Sequence, residues 1–122
     1  MLYEDLTGKI IKAAMKVHNT LGFGFMEKVY ENALMIELEL HGLKAIQQHP
    51  IMVFYQGKIV GEYIADIMVE DKIILELKST ENINKVHEIQ VVNYLKAVNK
   101  EVGLLLNFGK EKLEFKRKVL NL

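Results

Sequence analysis

The sequence predicts an α/β sandwich with a mixed central sheet, built in the order ααβββαββ. Three observations carry that expectation. Two amphipathic helical periods open the chain, three β-type runs separated by turn signals follow, and a third helical period precedes an apolar run that ends at Gly109. Strand, helix and buried strand in succession imply a right-handed crossover and a parallel strand pair. At 122 residues the chain corresponds to about one domain, spanning 1–122 and large enough to bury a core.

Each element has its own signature. From Tyr3 to Leu21 the apolar positions Leu6, Ile10, Ala13, Ala14, Val17 and Leu21 recur at helical spacing, with Lys9, Lys12 and Lys16 opposite and Thr7 or Asp5 near the start. Gly22-Phe23-Gly24 breaks this helix, and a second runs from about Met26 to His41, with Gly42 as its stop. Ala45 to Tyr55 reads as a strand in which Pro50 points to an edge or a bulge. Gln56-Gly57 is a turn signal, Ile59 to Val69 a second strand, and Glu70-Asp71-Lys72 a turn into a third, Ile73 to Lys78. Asn84 to Asn99 is helical again. Glu101 to Phe108 reads as a buried strand beside the third, and Leu113 to Val119 as a more polar last strand.

Composition excludes several classes of function. Sixteen basic and sixteen acidic residues cancel, so net charge does not mark a nucleic-acid binder. The absence of cysteine removes disulfides, thiolate zinc sites and cysteine nucleophiles. The N-terminus lacks a basic segment followed by an apolar one, and no apolar run approaches membrane-spanning length. A cytoplasmic protein without membrane partners is the expectation.

Function is sought where charge interrupts segments otherwise suited to burial. Between Glu62 and Ser79 that happens inside the apolar runs at Asp66, Glu76 and Lys78. Buried charges are costly unless paired or bound to a cation. Glu76-Leu77-Lys78 extends from Ile73-Ile74-Leu75, and the two-residue period puts Glu76 and Lys78 on one face of the strand. The bland reading is a half-exposed strand with a surface salt pair. Asp66 discriminates. A two-residue turn at Glu70-Asp71 would pair Asp66 with Leu75 and send it to the other face, whereas a three-residue loop or one bulge pairs it with Glu76. The second arrangement is expected. Two facing carboxylates repel unless a cation lies between them, and a hard divalent ion such as Mg²⁺ (or Mn²⁺) resolves the conflict, with the Leu77 backbone carbonyl as a further donor.

Other polar groups are candidates for the same site. His87, Gln90 and Tyr94 fall at i, i+3 and i+7 on one stripe of the third helix, where Gln90 could orient a phosphate or water, Tyr94 could support it and His87 is a supporting residue. The alternative for that stripe is a solvated helix face. Glu27, Tyr30 and Glu31 open the second helix. Their acids suit a helix N-terminus through the dipole, and Glu27 could also reach the metal directly or through water. Lys110, Lys112, Lys116, Arg117 and Lys118 are interspersed with Glu111 and Glu114, which favours a solvated face over a phosphate grip.

Assembled in order, these residues resemble the PD-(D/E)XK nuclease superfamily, and within it a family of small bacterial and archaeal proteins named for a GxxExxY motif. The motif stands as Gly24-Phe25-Met26-Glu27-Lys28-Val29-Tyr30, and the likeness continues through Tyr63–Asp66, Ile74–Lys78, His87–Leu95 and Val102–Gly109. The resemblance implies a restriction-endonuclease-like αβββαβ core with an extra N-terminal helix and a C-terminal strand. It implies Mg²⁺-dependent hydrolysis of phosphodiester bonds in nucleic acid, DNA favoured. Asp66 and Glu76 would be the metal carboxylates, Lys78 the catalytic lysine, Glu27 the helix acid and Gln90 the helix glutamine. Ala65 stands where the superfamily's proline would precede Asp66. The rival expectation is a non-cleaving nucleic-acid-binding or protein-interaction module on the same fold. A homodimer, or a protein partner supplying specificity, would reconcile the small size with recognition.

Overall fold

A computed structural model describes residues 3–120. Its elements are α1 (Glu4–Leu21), α2 (Glu27–Leu40), β1 (Ala45–Tyr55), β2 (Lys58–Val69), β3 (Ile73–Lys78), α3 (Lys85–Val98), β4 (Val102–Asn107) and β5 (Glu114–Val119). The strands form one sheet in the order β1-β2-β3-β4-β5. Neighbours are antiparallel except β3 and β4, which run parallel and are joined through α3. β1, which contains Pro50, is an edge strand.

The chain's alternation sorts side chains into two layers. Val69, Ile73, Leu75, Leu77, Leu104 and Leu106 pack against Ile10, Ala13, Val17, Leu34 and Leu38 from α1 and α2. Ile51, Ala65, Met68 and Ile74 pack against Tyr94 and Leu95 of α3. The sheet is therefore covered on both faces, which is why β3 and β4 are apolar almost throughout. Each fully buried aliphatic side chain contributes about 1.5–3 kcal/mol.

Local differences from the sequence reading have physical causes. α1 begins at Glu4 behind Tyr3, with no side-chain cap, so neither Asp5 nor Thr7 serves as one. Thr7 is buried instead, and Glu4 and Asp5 sit in the first turn, where the helix dipole favours acids. Phe108 leaves the β4 ladder, yet it is fully buried and its amide donates to the Lys78 carbonyl at 2.8 Å. α2 closes at Gly42 by a Schellman arrangement, with the Leu43 amide donating to Leu38 and the Gly42 amide to Glu39.

Candidate active site

The β2–β3 hairpin fixes the site. Glu70 and Asp71 both have positive φ, and the Lys72 amide donates to the Val69 carbonyl at 2.9 Å, a turn of the mirror-image kind suited to twisted hairpins. Lys72 is the odd residue. It shifts the pairing to Val69↔Ile73, Met68↔Ile74 and Ile67↔Leu75, so the next level brings Asp66 opposite Glu76. Side chains replace the ladder at that level: the Asp66 amide donates to Glu76 Oε1 at 3.0 Å, and the Leu77 amide donates to Asp66 Oδ2 at 2.7 Å. Each carboxylate is thus pinned by one oxygen to the partner strand. The other oxygens, Asp66 Oδ1 and Glu76 Oε2, have no hydrogen-bond partner among the described residues. Leu75 and Leu77 face the α1/α2 layer, so alternation directs Glu76 and Lys78 to the α3 side.

Electrostatics marks the pair as strained without a cation. Glu76 is 6% exposed. Burial, then the Asp66 charge, pushes its carboxyl up to about 8, against the opposing Asp66 amide and Lys78 charge. Burial also raises Asp66 to about 6, helped by the charges of Glu31 and Glu27 and opposed by the Leu77 amide and Lys78. Half-buried Lys78 thus acts on both carboxylates. Among the described residues no ion pair joins it to Glu76, so the surface-salt-pair reading of Glu-x-Lys does not describe this strand. Two close carboxylates, each with an uncommitted oxygen, form a donor set that suits a hard divalent cation.

The Gly24–Tyr30 motif builds the wall beside the pair. Gly24 has φ 112, which a side chain would strain, and α2 starts three residues later at Glu27. One turn on, fully buried Tyr30 stacks on Phe108 at 4.7 Å, donates its hydroxyl to the Gly22 carbonyl at 2.7 Å and accepts from the Phe25 amide at 3.2 Å. Tyr30 therefore clasps the elbow that presents Glu27. Ser79 Oγ, at the end of β3, donates to the Phe25 carbonyl at 2.8 Å and ties the same elbow to the Lys78 strand. Glu27 itself is exposed, yet close enough for its charge to raise both carboxylates. It does not complete a metal cage: among the described residues no group of three His, Cys, Asp or Glu side chains could hold an ion.

Glu31 is a buried carboxylate with a structural role. Its Oε2 accepts from Gln47 Nε2, from Gln48 Nε2 at 2.9 Å and from Lys28 Nζ at 3.0 Å. Burial pushes its carboxyl up, but these hydrogen bonds outweigh burial and hold it below the usual range. Gln48 has φ 57, and the β1–β2 pairing skips from Gln47↔Ile67 to His49↔Ala65 at the level of Asp66. Both β neighbours of Asp66 thus depart from regular pairing at one level. Sequence reading gave Gln47 and Gln48 no role. The available signal was the run Gln47-Gln48-His49-Pro50, which breaks the strand's apolar alternation.

α3 supplies the opposite wall. Gln90 Nε2 donates to Tyr94 Oη at 3.0 Å. Tyr94 is buried, and burial followed by the charges of Glu76 and Asp66 pushes its hydroxyl up to about 12. His87 caps the helix: its Nδ1 accepts from the Asn84 amide at 3.3 Å while its own amide donates to Asn84 Oδ1 at 3.1 Å. Tyr63, another residue given no individual role from sequence, lies 5.6 Å from Tyr94 between ring centroids. A groove of about 850 Å³ runs from Gln90, Tyr63 and Tyr94 between α3 and the β1–β2 hairpin. The two carboxylates do not line it, but Tyr94, which does, feels the charges of both.

Comparison with known proteins follows the same lines. The model of the PD-(D/E)XK nuclease superfamily matches residues 4–118. The crystal structure of SSO0001 shares the fold at a TM-score of 0.61 and 17% identity, covering 98% of this chain and 60% of that one. The chain therefore spans about 60% of the length of that neighbour. No curated protein matches.

Proposed function

Because the chain belongs to the PD-(D/E)XK nuclease superfamily, we propose that it is a divalent-metal-dependent nuclease of the GxxExxY kind that hydrolyses phosphodiester bonds, with DNA the favoured substrate. The observation that carries this reading is the splayed level of the hairpin, where Asp66 and Glu76 each keep one oxygen uncommitted. Mg²⁺ or Mn²⁺ would be held by these two carboxylates, with the Leu77 carbonyl as a further donor. When bound, the cation lowers the pKa of water and offsets charge on the transferring phosphoryl group.

The chain's own residues do the rest. Lys78, on the same strand face as Glu76, steers a water toward phosphorus and stabilises charge on a phosphate oxygen. Gln90, fixed by Tyr94, presents its amide oxygen to a water or its remaining N–H to a phosphate. Glu27 adds negative charge at the rim, which raises the demand for a cation. Tyr30, Glu31 and His87 position these groups through the contacts already described.

A second reading, a binding module that does not cut, is favoured by one observation: among the described residues no third carboxylate joins the pair. Incubation of linear, nicked and single-stranded DNA and of RNA with Mg²⁺ or Mn²⁺ separates the two. Cleavage by wild type that is lost in EDTA, in Asp66→Ala and in Lys78→Ala is expected. Equal residual cutting by wild type and both variants would remove the catalytic assignment.

A further inference from the structure

The groove beside the carboxylate pair has a chemistry that the nuclease reading alone does not require. Phe54, Val60, Tyr63, Val86 and Ile89 line it, and every one of them is at least half exposed. Such a concentration of exposed apolar surface marks a binding site. Its polar side chains on α3 are few: Gln90, bonded to the Tyr94 hydroxyl that feels both carboxylates, then Asn93 and Lys96. Tyr63 is half exposed, while its neighbour Tyr94 is buried against the carboxylate side. One ring face is therefore offered to the groove directly outside the candidate active site.

Charge argues in the same direction. A duplex is held chiefly through its phosphates, by Lys and Arg. Here part of the basic C-terminal run is paired locally. Lys116 and Lys118 lie 3.8 and 3.1 Å from Glu88 oxygens, and Lys110 lies 3.8 Å from Glu114. Net charge is zero. A groove with one lysine, Lys96, as its only charged lining residue, but with exposed aromatic rings and side-chain amides, suits bases more than backbones, and bases offer their faces only when unpaired.

We propose that this groove binds an unpaired nucleobase, so that the substrate is single-stranded DNA or a single-stranded segment next to the scissile bond. The base stacks on Tyr63, its edge meets the amides of Gln90 and Asn93, and the adjoining phosphate is delivered to Asp66 and Glu76. This rests on the nuclease reading for its destination, but the binding step needs neither metal nor turnover.

The test is fluorescence anisotropy in EDTA with a short fluorescein-labelled single-stranded oligodeoxynucleotide, its duplex form and the RNA of the same sequence. The single-stranded DNA is expected to bind at least about tenfold more tightly than the duplex. Tyr63→Ala is expected to weaken it about 5- to 160-fold, the range an aromatic stack contributes per base, with Tyr63→Phe restoring it. Because Tyr63 is half exposed, melting temperatures should stay close to wild type and show that both variants fold. Equal affinity for duplex and single strand, tighter binding of the RNA, or unchanged binding by Tyr63→Ala would overturn the proposal. So would light scattering that shows a dimer dissociated by Tyr63→Ala with binding untouched, since the groove would then be a self-association face. Single-strand binding without cleavage would leave this proposal standing and remove the nuclease. Metal-dependent cleavage without single-strand preference would do the reverse.

Discussion

Replacing Glu76 by Gln should stabilise the metal-free protein at alkaline pH and abolish its response to metal. Glu76 is 6% exposed and its carboxyl is raised from the ordinary 4.5 to about 8. A group whose folded pKa is raised binds more protons in the native state than in the unfolded one. Stability is therefore full below about pH 4.5, falls as pH rises toward 8 and is flat above. Each pKa unit is worth about 1.4 kcal/mol, which sets a ceiling of about 5 kcal/mol. Part of that rise comes from the Asp66 charge, which the native state also relieves by keeping Asp66 protonated to about 6. An expected gain of about 2–4 kcal/mol for Glu76→Gln at pH 9 follows, with almost none at pH 4.5. The amide oxygen of the variant can still accept from the Asp66 amide, so the hairpin is kept. Urea melts in EDTA across this range measure the effect, and subtracting the two pH profiles cancels every group other than this pair. Adding millimolar Mg²⁺ or Mn²⁺ at neutral pH should raise the midpoint of wild type and leave Glu76→Gln unmoved, by mass action on the folded state. A wild-type profile that is flat from acid to alkali, or a variant no more stable than wild type at pH 9, would refute the buried pair itself.

Three further perturbations probe the frame around it. Tyr30→Phe leaves the Gly22 carbonyl and Phe25 amide without their partner and should cost about 1–3 kcal/mol in a denaturant melt, with catalytic loss exceeding the fraction unfolded. Gly103→Ala would place a methyl 2.6 Å from Val91 Cγ1, where α3 crosses β4, and should cost about 1–3 kcal/mol by the same measurement. Lys78→Met removes a positive charge that favours ionisation of both carboxylates. Its metal-free stability should therefore fall more steeply with rising pH than that of wild type, while cleavage is lost; a shallower profile would contradict the assigned geometry.

Much of this architecture was legible because it is written in binary pattern. The apolar periods of α1 and α2, the continuous apolar runs of β3 and β4, and the odd three-residue gap at Glu70-Asp71-Lys72 are all local. The remainder depends on contacts between distant segments. Glu31 reads as an ordinary first-turn acid of α2, and only the arrival of Gln47 and Gln48 from β1 makes it a buried carboxylate with donors gathered on one oxygen. His87 reads as a supporting member of a polar stripe, and what the spacing does not show is that its ring nitrogen is used on Asn84 three residues away. No turn residue announces the positive φ of Gln48, because tertiary contacts impose it on a residue with no preference for it. Tyr63 could not be separated from other strand aromatics until α3 placed Tyr94 beside it.

The irregular level shared by Gln48, Asp66 and Glu76 ties these points together. A regular ladder would occupy the backbone between Asp66 and Glu76 and leave their side chains free to turn away from each other. Here the Asp66 and Leu77 amides bond to carboxylate oxygens instead, so the hydrogen bonds that would have continued the sheet orient the acids. On the other side of β2, Gln48 bonds to buried Glu31, whose charge reaches Asp66 and raises it further. Neutralising Glu31 would thus ease the repulsion on Asp66, and an uncharged acceptor would hold the Gln48 side chain that accompanies the break in pairing less firmly. Glu31→Gln should therefore lower the Asp66 pKa and weaken metal-dependent stabilisation, both of which follow from the lost charge, whereas Gln48→Ala keeps that charge and removes only the Gln48 tie. Carboxyl titration by NMR beside metal-dependent melting would show it. A metal response unchanged in Gln48→Ala but weakened in Glu31→Gln would mean that Glu31 acts on the site through its charge only.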